Sequence, residues 1–185
     1  MDQSWCSRRC RPNPRFRADV EVRYEHFDWT TPAELKRLAA RNEPWRYYLD
    51  TEVYLEGVEL KGTVRPVDEH GEDHPPMDSL HVVAAVQPGA DPASDESAAR
   101  TAVLTQFLAT EEILFIRAVG SSFDGSHREE SLAAFGLGDD EAREIGRKFG
   151  QVAVFSWRGP QWSLLASAGT RQSHRPWRWT IDGKN

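Results

Sequence analysis

The sequence predicts an α+β protein of two layers, with helices on one face of a mainly antiparallel sheet. Three observations predict it. From residue 80 onward, strand-length apolar runs and helix-period segments follow one another as strand, helix, strand, strand, helix, strand, the split βαβ order. The runs that read as strands are short and bounded by turn residues. Arg158-Gly159-Pro160 then joins the last of these strands to one further β-rich run and predicts a C-terminal hairpin. A strand-helix-strand unit precedes this region.

Residues 1–15 combine Arg, Pro, Ser and Asn without apolar periodicity, which predicts a flexible arm. Ala18, Val20, Val22 and Tyr24 alternate with Asp19, Glu21 and Arg23, the pattern of a half-buried strand. Thr31-Pro32-Ala33-Glu34 opens a helix. Thr31 suits the N-cap, Pro32 suits the first turn, and Glu34 completes a capping box. Leu35, Leu38 and Ala39 form its apolar face, and Asn42 is a suitable end. Residues 45–60 are aromatic and rich in β-formers, which predicts one or two strands with Glu56-Gly57 as a turn. Residues 67–77 are polar, with Gly and Pro, and read as a loop.

Residues 80–86 predict a strand buried on both faces, ended by Gln87-Pro88-Gly89. Ser94 or Asp95 caps a helix reaching to about Ala109, with Ala99, Val103 and Phe107 on one face. Residues 113–119 form the next strand, residues 120–127 a Gly/Ser loop, and residues 129–135 a short strand or a helical turn. Asp139, Asp140 and Glu141 open a helix that Arg147 and Lys148 close, the charge order that the helix dipole favours. Ala142, Ile145 and Phe149 face the core, and Gly150 is the stop. Residues 152–157 and 161–166 are the two arms of the hairpin. The order from residue 80 is that of ferredoxin-like folds, and residues 16–185 read as a single α+β domain.

The chain has 185 residues and a net charge of −6, enough length to bury a core without metal or disulfide staples. No apolar run approaches the ~20 residues that span a bilayer, and no apolar segment of signal-peptide type follows the polar N-terminus. The expectation is a cytoplasmic protein with no membrane contact. Arg8, Arg9, Arg11, Arg15 and Arg17 face a single acid, Asp2, in the first 17 residues. Residues 50–96 hold twelve acids against Lys61 and Arg65. An acidic body repels nucleic acid unless a basic face is segregated from it.

Four residues qualify for a polar pocket: Glu129, Ser131, Gln151 and Gln87 all fall at ends of neighbouring strands. A carboxylate there can act as a ligand or a general base. The same residues can instead hydrogen-bond loop backbone and cap the strand ends. A second set, Arg171, Arg175, Trp177 and Arg178, interleaves cations and rings as nucleic-acid contacts do. The alternation of Trp177 and Trp179 with Arg178 equally fits a last strand with tryptophans inward and arginines outward. His70 and His74 sit in a loop with Gly71 and Pro75, so they lack the helical spacing of a metal pair. Cys6 and Cys10, even with His26, make an incomplete zinc set in Arg-rich surroundings. Ser131 lies outside any nucleophile-elbow motif, and no phosphate loop or dinucleotide fingerprint is present. No metal and no cofactor is expected.

Glu129-x-Ser131, Gly136-Leu137, Glu141-Ala142 and Phe149-Gly150-Gln151 followed by Ala153-Val154-Phe155 form one ordered set. It resembles the C-terminal pattern of bacterial proteins of domain of unknown function 3293. Tyr48-x-x-Thr51-x-x-Tyr54 is similar to the early aromatic strand of that family, and the resemblance extends over about residues 45–166. Three departures stand out. Gln87-Pro88 replaces the family's Asn-Pro, Ser97 or Ala98 stands where an Asn is usual, and His127 where a Trp commonly precedes the Glu-x-Ser. The resemblance implies a fold and no activity. The sequence therefore points first to a binding or accessory protein with a protein partner. A small-molecule site at Glu129, Ser131, Gln87 and Gln151 comes second, and nucleic-acid association through the terminal arginines third.

Overall fold

The computed structural model describes residues 22–58 and 61–182. The predicted arm, Cys6 and Cys10 lie outside the described residues, as does most of the first predicted strand. The one part of that strand that is described, around Tyr24, is instead a 3-10 turn, Tyr24–His26. Two short helices follow, α1 (Pro32–Ala39) and α2 (Asn42–Leu49), then β1 (Thr51–Glu56) and β2 (Lys61–Pro66). β3 (Leu80–Ala84), α3 (Asp95–Thr110), β4 (Phe115–Ser122), β5 (Arg128–Phe135), α4 (Asp139–Lys148) and β6 (Ala153–Arg158) come next. The chain closes with β7 (Gln161–Ala166), β8 (Gln172–Arg175) and β9 (Trp177–Ile181).

Two expectations for the N-terminal half need correction. Residues 45–49 are helical, not a strand. Trp45, Tyr48 and Leu49 fall at i, i+3 and i+4, so one face of α2 packs on Leu164 and Ala166 while Tyr47 stays exposed. The partner of β1 lies further along, at β2, where Gly62 and Pro66 disguise a strand. Gly62 is required there, because a Cβ would run into the Trp179 ring and the Thr180 carbonyl.

The nine strands of the described residues join in one antiparallel sheet, in the order β8-β7-β6-β3-β5-β4-β1-β2-β9. The run β6-β3-β5-β4 is its centre, flanked by β7 and β8 on one side and by β1, β2 and β9 on the other. The two outermost strands, β8 and β9, are consecutive in the chain with only Pro176 between them. A flat sheet could not satisfy that connection, so this one curls until it is almost closed. Tryptophans mark the closure: Trp157 of β6 packs edge-on to Trp177 of β9 at 4.8 Å and stacks with Trp179 at 5.6 Å. The Trp177 indole N–H donates to the Gly159 carbonyl at 2.9 Å.

Side-chain alternation sends Val53, Leu55, Val64, Leu80, Val82, Ala118, Ala133, Trp157, Trp162 and Trp177 to the inner face, where they form one core. The other face of the central strands presents Val83, Leu132, Ala134, Val154 and Leu165 to α3 and α4. α1 and α2 pack on the opposite side, against Leu164, Ala166 and Val152. Helices thus cover both faces of the sheet around β6 and β7, where the sequence predicted helices on one face only. The reason is the second short helix, which turns the predicted N-terminal strand unit into a helical pair.

Local signals hold these pieces in place. Thr31 Oγ1 accepts from the Glu34 amide at 3.3 Å, and Ser94 Oγ accepts from the Ser97 amide at 3.1 Å. Gly150 ends α4 with a φ of +69°, and a Cβ there would collide with the Gln87 side chain. Only glycine permits both that backbone and that approach. Among the described residues, no helix is long and apolar enough to cross a membrane.

Candidate functional site

α3 ends in a Schellman motif. The Ile113 amide donates to the Leu108 carbonyl at 2.9 Å, and the Glu112 amide to the Ala109 carbonyl at 3.2 Å. Glu112 holds the left-handed position of that motif, with φ of +56°, where glycine is the usual occupant. The turn it begins lies beside the turn that leads from β5 into α4, and the Phe135 amide donates to the Leu114 carbonyl at 2.8 Å.

Two open concavities meet at these turns. The first, about 690 Å³, lies between the facing ends of α3 and α4 and the segment at residues 24–32. Its walls include Tyr24, Trp29, Phe107, Ile113, Leu137 and Ile145. The second, about 910 Å³, runs on past Leu114 and Phe135 to Asp78 and Ser79. Glu111, Ile113, Leu137 and Glu141 line both, so the two make one continuous groove.

Its two ends differ in charge. The first stretch mixes both signs: Lys148 sits over the Tyr24 and Phe107 rings, at 5.1 and 4.8 Å, Arg147 pairs with Glu144 at 3.6 Å, and Glu111 and Glu141 also line it. The second stretch is lined by Asp78, Glu111, Glu112 and Glu141, with no basic side chain among the described residues. Glu141 is engaged, accepting from the Gly138 amide at 2.7 Å. Asp78, Glu111 and Glu112 have no ion pair among the described residues. Leu114 is 43% exposed between them. Asp78, Glu111, Glu112 and Leu114 are not among the candidates that the sequence offers. The signal available was the run Glu111-Glu112-Ile113-Leu114, two acids and two apolar residues where a helix turns into a strand.

The residues singled out from sequence fall into separate places. Glu129 and Ser131 lie on the inner side of β5. The Ser131 hydroxyl, buried, donates to the Glu129 carbonyl at 3.4 Å. The Glu129 carboxylate has His127 at 3.5 Å, and that hydrogen bond raises the histidine's pKa. Burial, and then the charge of Glu129, push the Tyr48 hydroxyl up to about 12. Gln87 and Gln151 knit the ends of β3 and α4 together. Gln151 Nε2 donates to the Val86 carbonyl at 2.7 Å, and Gln87 Nε2 to Ala85 and Phe149 carbonyls at 3.1 and 3.0 Å. Gln87 Oε1 accepts from both the amide and the hydroxyl of Thr30 at 2.8 Å. Among the described residues no hydrogen bond joins the glutamine pair to Glu129 or Ser131.

Of the basic set, Arg171 donates to the Ala39 and Arg41 carbonyls at 2.9 and 3.1 Å and lies over the Trp45 ring. Arg175 bonds the Leu49 carbonyl at 3.1 Å and pairs with Asp50 and Asp68. Trp177 is fully buried. Arg178 is exposed.

A further polar cluster pins the start of α4 to the sheet. Buried His81 contacts Asp139 Oδ1 through Nε2 at 2.8 Å, and the Ser156 hydroxyl donates to the same oxygen at 3.2 Å. Burial lowers the pKa of His81 against the opposing pull of Asp139. Ser156 gives its proton to the carboxylate rather than to the imidazole, so the arrangement clamps and does not activate a nucleophile. Among the described residues no group of three or more His, Cys, Asp or Glu could hold a metal ion.

The described residues thus form an α+β protein, a single curled antiparallel sheet with helices on both faces and an open groove along two adjacent turns. Residues 83–154 match the family model "Protein of unknown function (DUF3293)", and the chain resembles that family over this segment. The match runs from β3 into β6, under half of the 185 residues, and includes both turns of the groove. No curated protein and no solved structure matches the chain.

Proposed function

We propose that the protein is a partner-binding or accessory domain that receives another protein along the groove beside residues 111–114 and 136–141. The observation that carries this reading is the continuity and openness of the groove. It is open to solvent, as suits an extended segment, and Leu114 is left half-exposed within it. With it goes a cytoplasmic, bacterial protein whose residues 16–185 act as one domain, built around a ferredoxin-like β3-to-β6 unit. The strand order β6-β3-β5-β4 supports that unit. Affinity capture of the full chain from its host tests the reading. The expected result is a stoichiometric protein partner for the wild type and about tenfold less of it for Leu114→Asp. A partner retained equally by both chains refutes the groove, and a lone monomer refutes the reading.

A second reading places a small polar ligand at Glu129 and Ser131. Tyr48, whose pKa is raised by burial and then by the charge of Glu129, favours it. Gln87 and Gln151, whose amides are engaged with backbone, would act there as supports. Ligand-induced stabilisation lost in Glu129→Gln is its test. Nucleic-acid association draws less support, because Arg171 and Arg175 spend their donors within the protein.

A further inference from the structure

Resting on the groove reading, we infer that the acidic stretch of the groove takes an extended segment of a partner protein in which arginine or lysine alternates with apolar side chains. Three features set this chemistry. Among the described residues, Asp78, Glu111 and Glu112 line the stretch without a basic side chain beside them, so it offers negative charge to an incoming cation. Ile113, Leu114, Phe135 and Leu137 supply an apolar floor beneath those carboxylates. Successive side chains of an extended segment point opposite ways, so an alternating sequence puts apolar groups on the floor and cations toward the rim. The other stretch of the groove sets Arg147 and Lys148 among Glu111, Glu141 and Glu144, so the end at Asp78 is the more acidic and the basic part of the occupant lies toward it.

Glu112 carries the inference further. Its carboxylate is held at a backbone position that glycine fills at lower cost, and it has no ion pair among the described residues. A ligand that uses the carboxylate accounts for its being there.

The experiment uses the full chain and fluorescein-labelled synthetic peptides read by anisotropy at low salt. The probes alternate Arg with Leu, Arg with Ser, and Glu with Leu. The Arg–Leu peptide is expected to bind, at least about tenfold more tightly than either of the others. Asp78→Lys and Glu111→Lys should each weaken it severalfold. Glu112→Gly should weaken it too while the chain becomes more stable, which separates lost binding from lost folding. The pair Glu43→Lys and Glu69→Lys, on exposed acids outside the groove, should leave it within about twofold. Equal binding of the Arg–Ser peptide, or an equal loss in the Glu43 and Glu69 variant, means attraction to an acidic body and overturns the inference. If the Arg–Leu peptide does not bind while Leu114→Asp still cuts partner capture about tenfold, the inference fails and the groove reading stands.

Discussion

Glu112 is the residue at which stability and binding are expected to part. A non-glycine residue in the left-handed region costs about 1 kcal/mol. Glu112→Gly should therefore raise the unfolding free energy by roughly that amount in a urea titration. A loss of stability instead would mean that the carboxylate serves the fold. His81 ties stability to pH. Burial lowers its folded pKa, so the unfolded chain takes up the proton first. Its effect is nil well above the ordinary histidine value, and stability falls as pH drops through that value. His127 has the opposite sign, since Glu129 raises it. Its contribution is complete below the ordinary value and is lost as pH rises through the folded one. In His81→Gln the decline in stability between about pH 7.5 and 5.5 should become shallower than in the wild type. An unchanged decline would show that His81 is not the group responsible.

At the scale of elements, caps and stops were the most legible features. Thr31, Ser94, the Asp139–Glu141 run and Gly150 stand where the sequence places helix ends. Those signals are local, a side-chain oxygen or a backbone conformation within one turn. Ser94→Ala should accordingly lower stability by about 1 kcal/mol, measurable by denaturant unfolding. An unchanged midpoint would shift the role to Asp91, whose carbonyl accepts from Ser94 and Ser97. α2 was not legible. Its Trp-Arg-Tyr-Tyr-Leu run has the composition of a strand, and only the spacing of Trp45, Tyr48 and Leu49 gives the helix away. Packing against β7 outweighs the intrinsic preference of the residues. Of the candidate site, the sequence drew attention to Glu129, Ser131, Gln87 and Gln151. The groove escaped it because Asp78, Trp29 and Glu112 are brought together only by tertiary folding.

For the whole molecule, the pairing of β2 with β9 decides the shape, and the sequence carries no direct sign of it. Register between distant strands depends on which faces are buried, and that emerges only once the sheet curls. Trp177 is where the curl is held, fully buried against Trp157 and bonded to the Gly159 carbonyl. Trp177→Ala should lower the unfolding free energy by about 3–5 kcal/mol. Tryptophan fluorescence during urea unfolding measures this, and a loss under about 1 kcal/mol would mean that the sheet stays closed without it.

The single-residue link at Pro176 has a consequence for how the chain is made. Until residues 172–182 have left the ribosome, β7 and β2 each present a row of unpaired backbone groups, the kind of border on which nascent chains aggregate. One short stretch then covers both borders at once. Synthesis therefore ends a hazardous interval abruptly, and a chain stalled just short of that stretch is the species that chaperones would have to shelter.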